Sequence, residues 1–532
     1  MHSKAQRIPY QQTNCFTKLV VDYINNAEPL NSFYTHKVSL TGIQNAINLK
    51  SKEKINRNIL ADTLQADYAE LETSKLLKNN LELLKNDNTF TVTTAHQPNI
   101  FTGPLYFIYK IVHAIKLASY LNLSFPNQHF VPVYFMGSED ADLEELGHTF
   151  VNYEKIVWNT NQQGAVGRML VDKDFIDLIH RINGELSVEI FGKEIINLIK
   201  DCYTEGATIQ SATFKLVNAL FGEYGLVILL PDNKLLKESF SEIIKDDLLN
   251  QTATEIVLKT SKELSKNYKV QVTPREINLF YLKDNVRSRL IIENEIFKVI
   301  DTDITFTKEA ILTELKNHPD RFSPNVILRG LFQETILPNV AFVGGAGELA
   351  YWLQLKELFA HYKTALPVLV LRNSFLIVEK KWADKIQKLG FKIEDFFLSE
   401  FDLQNNYVVQ NSTNQLSITS EEKIIEEQYE LLKTKVQTID TTLQTHIEAL
   451  LHQALKKLSI LEKKILKSEK RKFEDEQIQI QKIKQHLFPN GSLQERKENI
   501  SPFYAKYGKT FIEVILKESL TLEQEFVILE ID

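Results

Sequence analysis

Residues 90–121 read FTVTTAHQPNIFTGPLYFIYKIVHAIKLASYL. Phe90–Thr94 is rich in β-branched and aromatic residues and reads as a short strand. His96–Pro104 carries proline, asparagine and glycine and reads as a turn. From Leu105 to about Leu121 the apolar residues recur at helical spacing. The same order of strand, turn and helix returns three times. Val131–Phe135 is followed by a turn at Gly137–Asp140 and a helix onset near Asp142. Leu226–Leu230 leads through Pro231–Asn233 into a helix expected over Lys234–Leu249. Val340–Val343 leads through Gly344–Gly347 into a helix expected over Glu348–Tyr362, and Pro367–Leu371 reads as a further strand. Apolar strands alternating with helices indicate βαβ units and a parallel sheet. Such sheets bind ligands at the carboxyl ends of their strands, so function is to be sought in these turns.

Long stretches separate the units. Phe175–Thr204 reads as helical, and Gln271–Ile300 alternates in the manner of strands. Both are expected as insertions into the sheet domain. From Ser420 to Leu487 there is neither proline nor glycine. Apolar residues there, including Tyr429, Leu432, Val436, Ile439 and Leu443, step by three and four like a coiled-coil seam. Asp440-Thr441-Thr442 offers a cap for a new helix, so one rod and a helical hairpin are both open. Pro489-Asn490-Gly491 ends the helical stretch, and the tail Phe503–Ile531 is expected to return to the core.

The 532 residues suggest about three domains at the usual ~150 residues each. Lys and Arg number 62 against 69 Asp and Glu, a net charge of -7, which argues against a nucleic-acid partner. Cys15 and Cys202 stand alone, giving no disulfide framework and no cysteine-rich zinc site. The polar start lacks a signal-peptide core, and no apolar run reaches the ~18 residues a membrane span needs. A cytoplasmic protein without a membrane or a tightly bound metal is expected.

The turns supply the candidate chemistry. His96, Gln97, Asn99, Thr102, Gly103 and Tyr106 lie at a helix start, where free N–H groups suit an anion. Glu139 and Asp140 follow a strand and suit a base or an ammonium-steering pair, whereas Asp142 also fits plain helix capping. Gly344, Gly345 and Gly347 permit close backbone approach to a ligand, with Glu348 and Tyr351 one turn on. Asn325 and Arg329 lie upstream, and an arginine there suits a carboxylate or phosphate.

Taken together the turns resemble a known family. Thr94–Lys116 (TAHQPNIFTGPLYFIYKIVHAIK), Val131–Leu146 (VPVYFMGSEDADLEEL), Asn325–Lys356 (NVILRGLFQETILPNVAFVGGAGELAYWLQLK) and Leu487–Asn499 (LFPNGSLQERKEN) are similar, in this order, to the bacillithiol biosynthesis cysteine-adding enzymes. Where the family usually reads GQQ and EDHD, this chain has Ala95-His96-Gln97 and Glu139-Asp140-Ala141-Asp142. The resemblance implies an α/β fold, with a Rossmann-like nucleotidyltransferase core over residues 1–400 carrying insertions near 145–220 and 250–325. It implies a helical coiled-coil domain at 401–490, a returning segment at 491–532, and a homodimer. It further implies a ligase that adds L-cysteine to the amine of glucosaminyl-malate in the last step of bacillithiol synthesis.

A carboxylate does not condense with an amine near neutral pH unless it is activated, so ATP with Mg²⁺ is expected. In that scheme His96, Glu139 and Asp140 are the catalytic candidates, and the remaining turn residues bind substrate. A second adenine-nucleotide site, implied by the resemblance, would use Asn490, Gly491 and Arg496. The competing expectations are a related ATP-dependent ligase or nucleotidyl transferase acting on another amine, and a non-catalytic coiled-coil assembly protein.

Overall fold

The protein is described by a computed structural model covering residues 2–532. Its centre is a five-stranded sheet. In chain order the elements that matter are β1 (Thr89–His96), α1 (Leu105–Ser124), β2 (His129–Met136), β3 (Val227–Leu229), α2 (Val326–Ile336), β4 (Asn339–Gly344), α3 (Ala346–Trp352) and β5 (Val368–Leu371). The strand order is β5-β4-β1-β2-β3, and every neighbouring pair is parallel. The chain runs outward from β1 through β2 to β3, then crosses back to place β4 on the other side of β1. The order reverses between β1 and β4, where doubly wound sheets open a ligand crevice. Register puts Thr94 beside both Val343 and Tyr134, so the loops after β1, β2 and β4 leave the sheet at one rim.

Every residue of β1 is buried, as expected for a central parallel strand covered on both faces. Val92, Val343 and Val370 pack with Ala114, Leu117 and Leu121 of α1 in one apolar cluster. Each such side chain contributes roughly 1.5–3 kcal/mol by leaving water. Glycine and proline sit before α1, not inside it, so the helix runs for 20 residues.

Two helices shorter than expected show tertiary contacts overriding pattern. The helix expected over Lys234–Leu249 breaks into Lys234–Glu238 and Ser241–Leu249. That expected over Glu348–Tyr362 breaks into α3 and Lys356–His361. At the second break Gln354 is fully buried. Its Oε1 accepts from the amides of Gln271 and Val272 at 3.1 Å each, and its Nε2 donates to Ser261 Oγ at 2.7 Å and Val272 O at 2.8 Å. The chain turns there to tie down the start of the insertion.

The insertions take the expected forms. Lys173–Leu186 and Gly192–Cys202 are helices. Leu279–Lys283, Val286–Glu293 and Ile296–Val299 form an antiparallel meander, with Phe322–Pro324 paired to its first strand. The C-terminal strand Glu525–Ile531 pairs antiparallel with Ser3–Pro9, returning the tail to the α/β unit.

Residues up to Ile377 together with Leu493–Asp532 form one compact unit, and Val378–Ser492 form a second. In the second, the long stretch is a hairpin of Thr419–Gln437 and Leu443–Lys470, followed by Glu474–Leu487. Asp440 Oδ1 accepts from the amide of Thr442 at 2.8 Å and from its hydroxyl at 2.7 Å, which fixes the turn. A boundary at residue 400 falls inside this unit. Trp382 stacks on His486 at 4.5 Å and Phe397 meets Phe488 edge-on, so the preceding segment packs with the helices. No helix of the described residues is long and apolar enough to cross a membrane.

Candidate active site

The loop after β1 is built from the inside out. His96 ends the strand with its ring between Tyr106 and Phe107, at centroid distances of 5.3 and 5.2 Å. Its Nε2 is buried without a hydrogen-bond partner among the described residues. Burial, and then Lys110, Arg329 and Arg372, push its pKa well below the usual histidine value, so it is neutral at physiological pH. Thr102 and Gly103 both have positive φ, 73° and 63°, and the turn is held by Asn499, whose Nδ2 donates to the carbonyls of Phe101 at 2.8 Å and Gly103 at 2.6 Å. Asn99 Nδ2 reaches Glu145 O at 3.5 Å. Asn99 Oδ1 and Thr102 Oγ1, like His96 Nε2, are buried without a hydrogen-bond partner among the described residues, so the turn is shaped chiefly by Asn499 and not by its own side chains.

At the end of β4 the glycine-rich turn is already filled by a carboxylate. Glu348 Oε2 accepts from the amide of Gly345 at 2.8 Å and pairs with the buried ammonium of Lys110. Lys110 also donates to Ala95 O at 2.8 Å. Beside it Arg372 holds Glu495 in a two-pronged pair at 2.7 and 3.1 Å, with Glu495 fully buried. Trp352 is core, stacked on Phe342 at 4.4 Å.

The open space lies one strand over. A cavity of about 470 Å³ is lined by Gln97, Glu139, Asp140, Asn325 and Arg329 from the sheet rim, and by Arg275, Arg287 and Arg289 from the insertion. Arg329 bridges the two regions: its Nη2 donates to Tyr351 OH at 3.4 Å, and a Cβ on Gly137 would stand 3.6 Å from its Nη1. Asp140 accepts from Gln97 Nε2 at 3.2 Å and lies 3.9 Å from Arg287 Nη1. Burial alone would raise its pKa, but Arg287, the Gln97 hydrogen bond and Arg329 outweigh burial and hold it below the usual carboxylate value. Glu139 differs. It is 8% exposed, contacts the buried ammonium of Lys237 and accepts from Ser323 Oγ at 3.3 Å. Of the two carboxylates, Asp140 is the one open to a ligand. Asn325 caps α2, accepting from Ile327 N at 2.8 Å, and Asp142 caps a four-residue helix in the same way through Glu145 N.

The turns carrying His96, Asp140 and Gly345 therefore share one rim. Gln97, Glu139, Asp140, Asn325 and Arg329 line the cavity. His96, Gly344, Gly345, Gly347, Glu348 and Tyr351 are not among its lining residues. Asn490 and Gly491 form an exposed turn of the helical unit, and Arg496 is exposed in the α/β unit. Sequence reasoning missed Arg275, Arg287, Arg289, Lys237 and Arg372. Its one available signal was VRSRLIIE, where Arg287 and Arg289 share a strand face.

The expected ATP can be tested against these groups. The Gly345 amide is taken by Glu348, so the glycine turn offers phosphate little. Arg329 and Arg275 present unpaired positive charge to the cavity and fit phosphate oxygens. Among the described residues no group of three or more His, Cys, Asp or Glu side chains could hold a metal ion. Magnesium fits here only as an ion carried mainly by phosphates.

A doubly wound parallel sheet, a crevice at its strand ends and a charged cavity completed by an insertion define an α/β ligand-binding architecture of Rossmann-like type. Residues 3–373 match the family described as "Bacillithiol biosynthesis BshC, N-terminal Rossmann-like domain", and residues 375–531 match its "C-terminal coiled-coil domain". The chain belongs to this bacillithiol-biosynthesis family. A protein of Flavobacterium johnsoniae named "Putative cysteine ligase BshC" is 38% identical over 528 residues, covering 98% of this chain and 99% of its own. Relatives of the same name from Flavobacterium psychrophilum and Salinibacter ruber are 39% and 28% identical, over 98% and 96% of this chain and 99% and 95% of their own.

Proposed function

We propose that this protein is a ligase that joins the carboxyl group of L-cysteine to the amine of glucosaminyl-malate, forming an amide in the last step of bacillithiol synthesis. The observation that carries the reading is the cavity in which Asp140, kept ionised, faces a set of arginines. An amine substrate bearing carboxylates needs both signs of charge, and this cavity has both. ATP, when bound, supplies the activation of the cysteine carboxylate.

The chain's own residues do the rest. Asp140 attracts the substrate ammonium and takes a proton from it, and the C–N bond forms as the bond from the cysteine carbonyl carbon to the activating phosphate oxygen breaks, the phosphate leaving with that electron pair. Gln97 fixes the carboxylate by donating to its Oδ2. Arg329 and Arg275 hold phosphate oxygens and offset their charge. Holding the two reactants side by side supplies much of the acceleration. Glu139 and Lys237 act from behind, fixing the loop that carries Asp140.

The same reading assigns a homodimer and a cytoplasmic setting. The dimer is supported by Ile424, Leu431, Leu432 and Leu450, which lie exposed along the helices of the second unit and suit burial against a second copy. Light scattering should then give twice the chain mass. For the reaction, purified protein is incubated with cysteine, glucosaminyl-malate and ATP, and products are followed by mass spectrometry. The cysteinyl amide, formed only when all three are present, is the expected result. Its absence, with the substrates intact, would overturn the reading.

A further inference from the structure

Resting on the ligase reading, and going beyond it to name residues, we propose that Arg287 and Arg289 form the anchor for a dicarboxylate, the malate end of the amine substrate. Both stand on the strand Val286–Glu293 of the insertion, at positions i and i+2, and so on one face. Phe280 lies directly opposite Arg289 in the pairing register. The Arg287 guanidinium stacks over the Phe280 ring at 3.9 Å. That stacking fixes the fork's plane without using its N–H donors.

Arg287 is short of partners for a buried cation. Its side chain is 11% exposed. Its Nε is buried and has no hydrogen-bond partner among the described residues. The Asp140 carboxylate stands 3.9 Å away, beyond hydrogen-bonding reach. A buried donor left unmade is costly, so the geometry calls for an anion from the cavity. Arg289 is exposed at the cavity wall, two residues on. Their backbones are about 7 Å apart, and long side chains converge easily over that distance. Two planar forks on one face suit two carboxylates carried on neighbouring carbons.

Phosphate would satisfy the same donors, but the cavity also holds Asp140 ionised beside Arg287. A polyphosphate bound at Arg287 itself would lie against that carboxylate, 3.9 Å from the guanidinium, whereas a molecule with carboxylates at one end and an ammonium at the other satisfies both. The dicarboxylate end then lies on the insertion and the amine end faces the sheet rim, where bond formation is assigned.

Calorimetric titrations of the full chain with glucosaminyl-malate, glucosamine and pyrophosphate test the anchor. Wild-type protein should bind glucosaminyl-malate at least about 100-fold tighter than glucosamine. Arg287→Gln should weaken glucosaminyl-malate by about 30-fold and Arg289→Gln by about 10-fold, with glucosamine little changed. Arg287→Lys, which keeps the charge but loses the fork, should fall between. Unchanged thermal melting in each variant separates lost binding from lost folding. In turnover, Arg287→Gln should raise KM for glucosaminyl-malate with kcat within about 3-fold.

Equal binding of glucosaminyl-malate by wild type and both Gln variants would overturn the anchor. Pyrophosphate binding that depends on Arg287 while glucosaminyl-malate binding does not would overturn it too, making these arginines a phosphate site. Arginine-dependent binding without any amide product would keep the anchor and sink the ligase reading. Product formation with KM unmoved in both variants would do the reverse.

Discussion

The rim of the sheet has two sides that handle charge in opposite ways. On the β4 side the ions are matched: Lys110 with Glu348, Arg372 with Glu495, and His96 neutral between aromatic rings. On the β2 side, once Glu139 is taken by Lys237, Arg275, Arg287, Arg289 and Arg329 face the single open carboxylate of Asp140. Matched buried pairs hold an architecture together, because breaking one strands an ion away from water. An unmatched cluster persists only where solvent or a ligand reaches it. The difference separates scaffold from site at a rim where residue types alone look alike.

The comparison can be broken in several places. The largest effect is expected for Asp140→Asn, which should lower kcat/KM by roughly 10³-fold or more with melting changed by only a few degrees. Steady-state kinetics beside a melting curve checks both. If turnover survives, the open side is not the reacting side. Arg372→Met should do the opposite. It leaves Glu495 buried without its partner and should lose roughly 4 kcal/mol in urea unfolding, while activity per folded molecule stays within about 3-fold. A stable but inactive Arg372→Met protein would move the chemistry to the β4 side.

A smaller effect sharpens the scaffold half. Glu498 is buried against the amides of Tyr153 and Asn499, and burial pushes its carboxyl up to about 7. Between its ordinary value and about 7 the folded chain keeps a proton that the unfolded chain releases. Stability from this group is therefore fully present at low pH and falls as pH rises through that window, by roughly 3 kcal/mol. Glu334, also raised to about 7 by burial, adds to the same fall. Asp67 and Asp247, raised to about 6 by burial, contribute as well, so Glu498→Gln should flatten part of the decline in stability with pH, most visibly between about pH 6 and 7, read as melting temperature at several pH values. An unaltered slope would count against the assignment.

The smallest effects are expected at His96 and the cysteines. His96→Gln should change turnover by less than about 3-fold, because the ring is buried and neutral. Cys15→Ser and Cys202→Ser should retain activity, since Cys15 is exposed and burial pushes the Cys202 thiol up to about 12. A large loss in any of these three would reopen the β4 side or implicate a thiol.

The α/β architecture, the insertions and the helical second unit were legible from sequence because they rest on local periodicity and on turn residues. The strand at Phe90–Thr94 and the helix from Leu105 carry their period in the chain itself. Whether the helical stretch ran as a rod or folded as a hairpin was open in the pattern, and Asp440 decides it through bonds made within the turn. Gln97 and Asp140 were legible because parallel sheets put ligands at strand ends, and Arg329 because an arginine fork suits a carboxylate or phosphate. What sequence could not rank was which charges are matched. Glu139 and Asp140 are adjacent in the chain, yet one is bound to Lys237, about a hundred residues on, and the other is open. Arg287 became part of the site only when the insertion folded its strand over the sheet rim. Pairing and burial of ions depend on contacts between distant segments, and no local period encodes them.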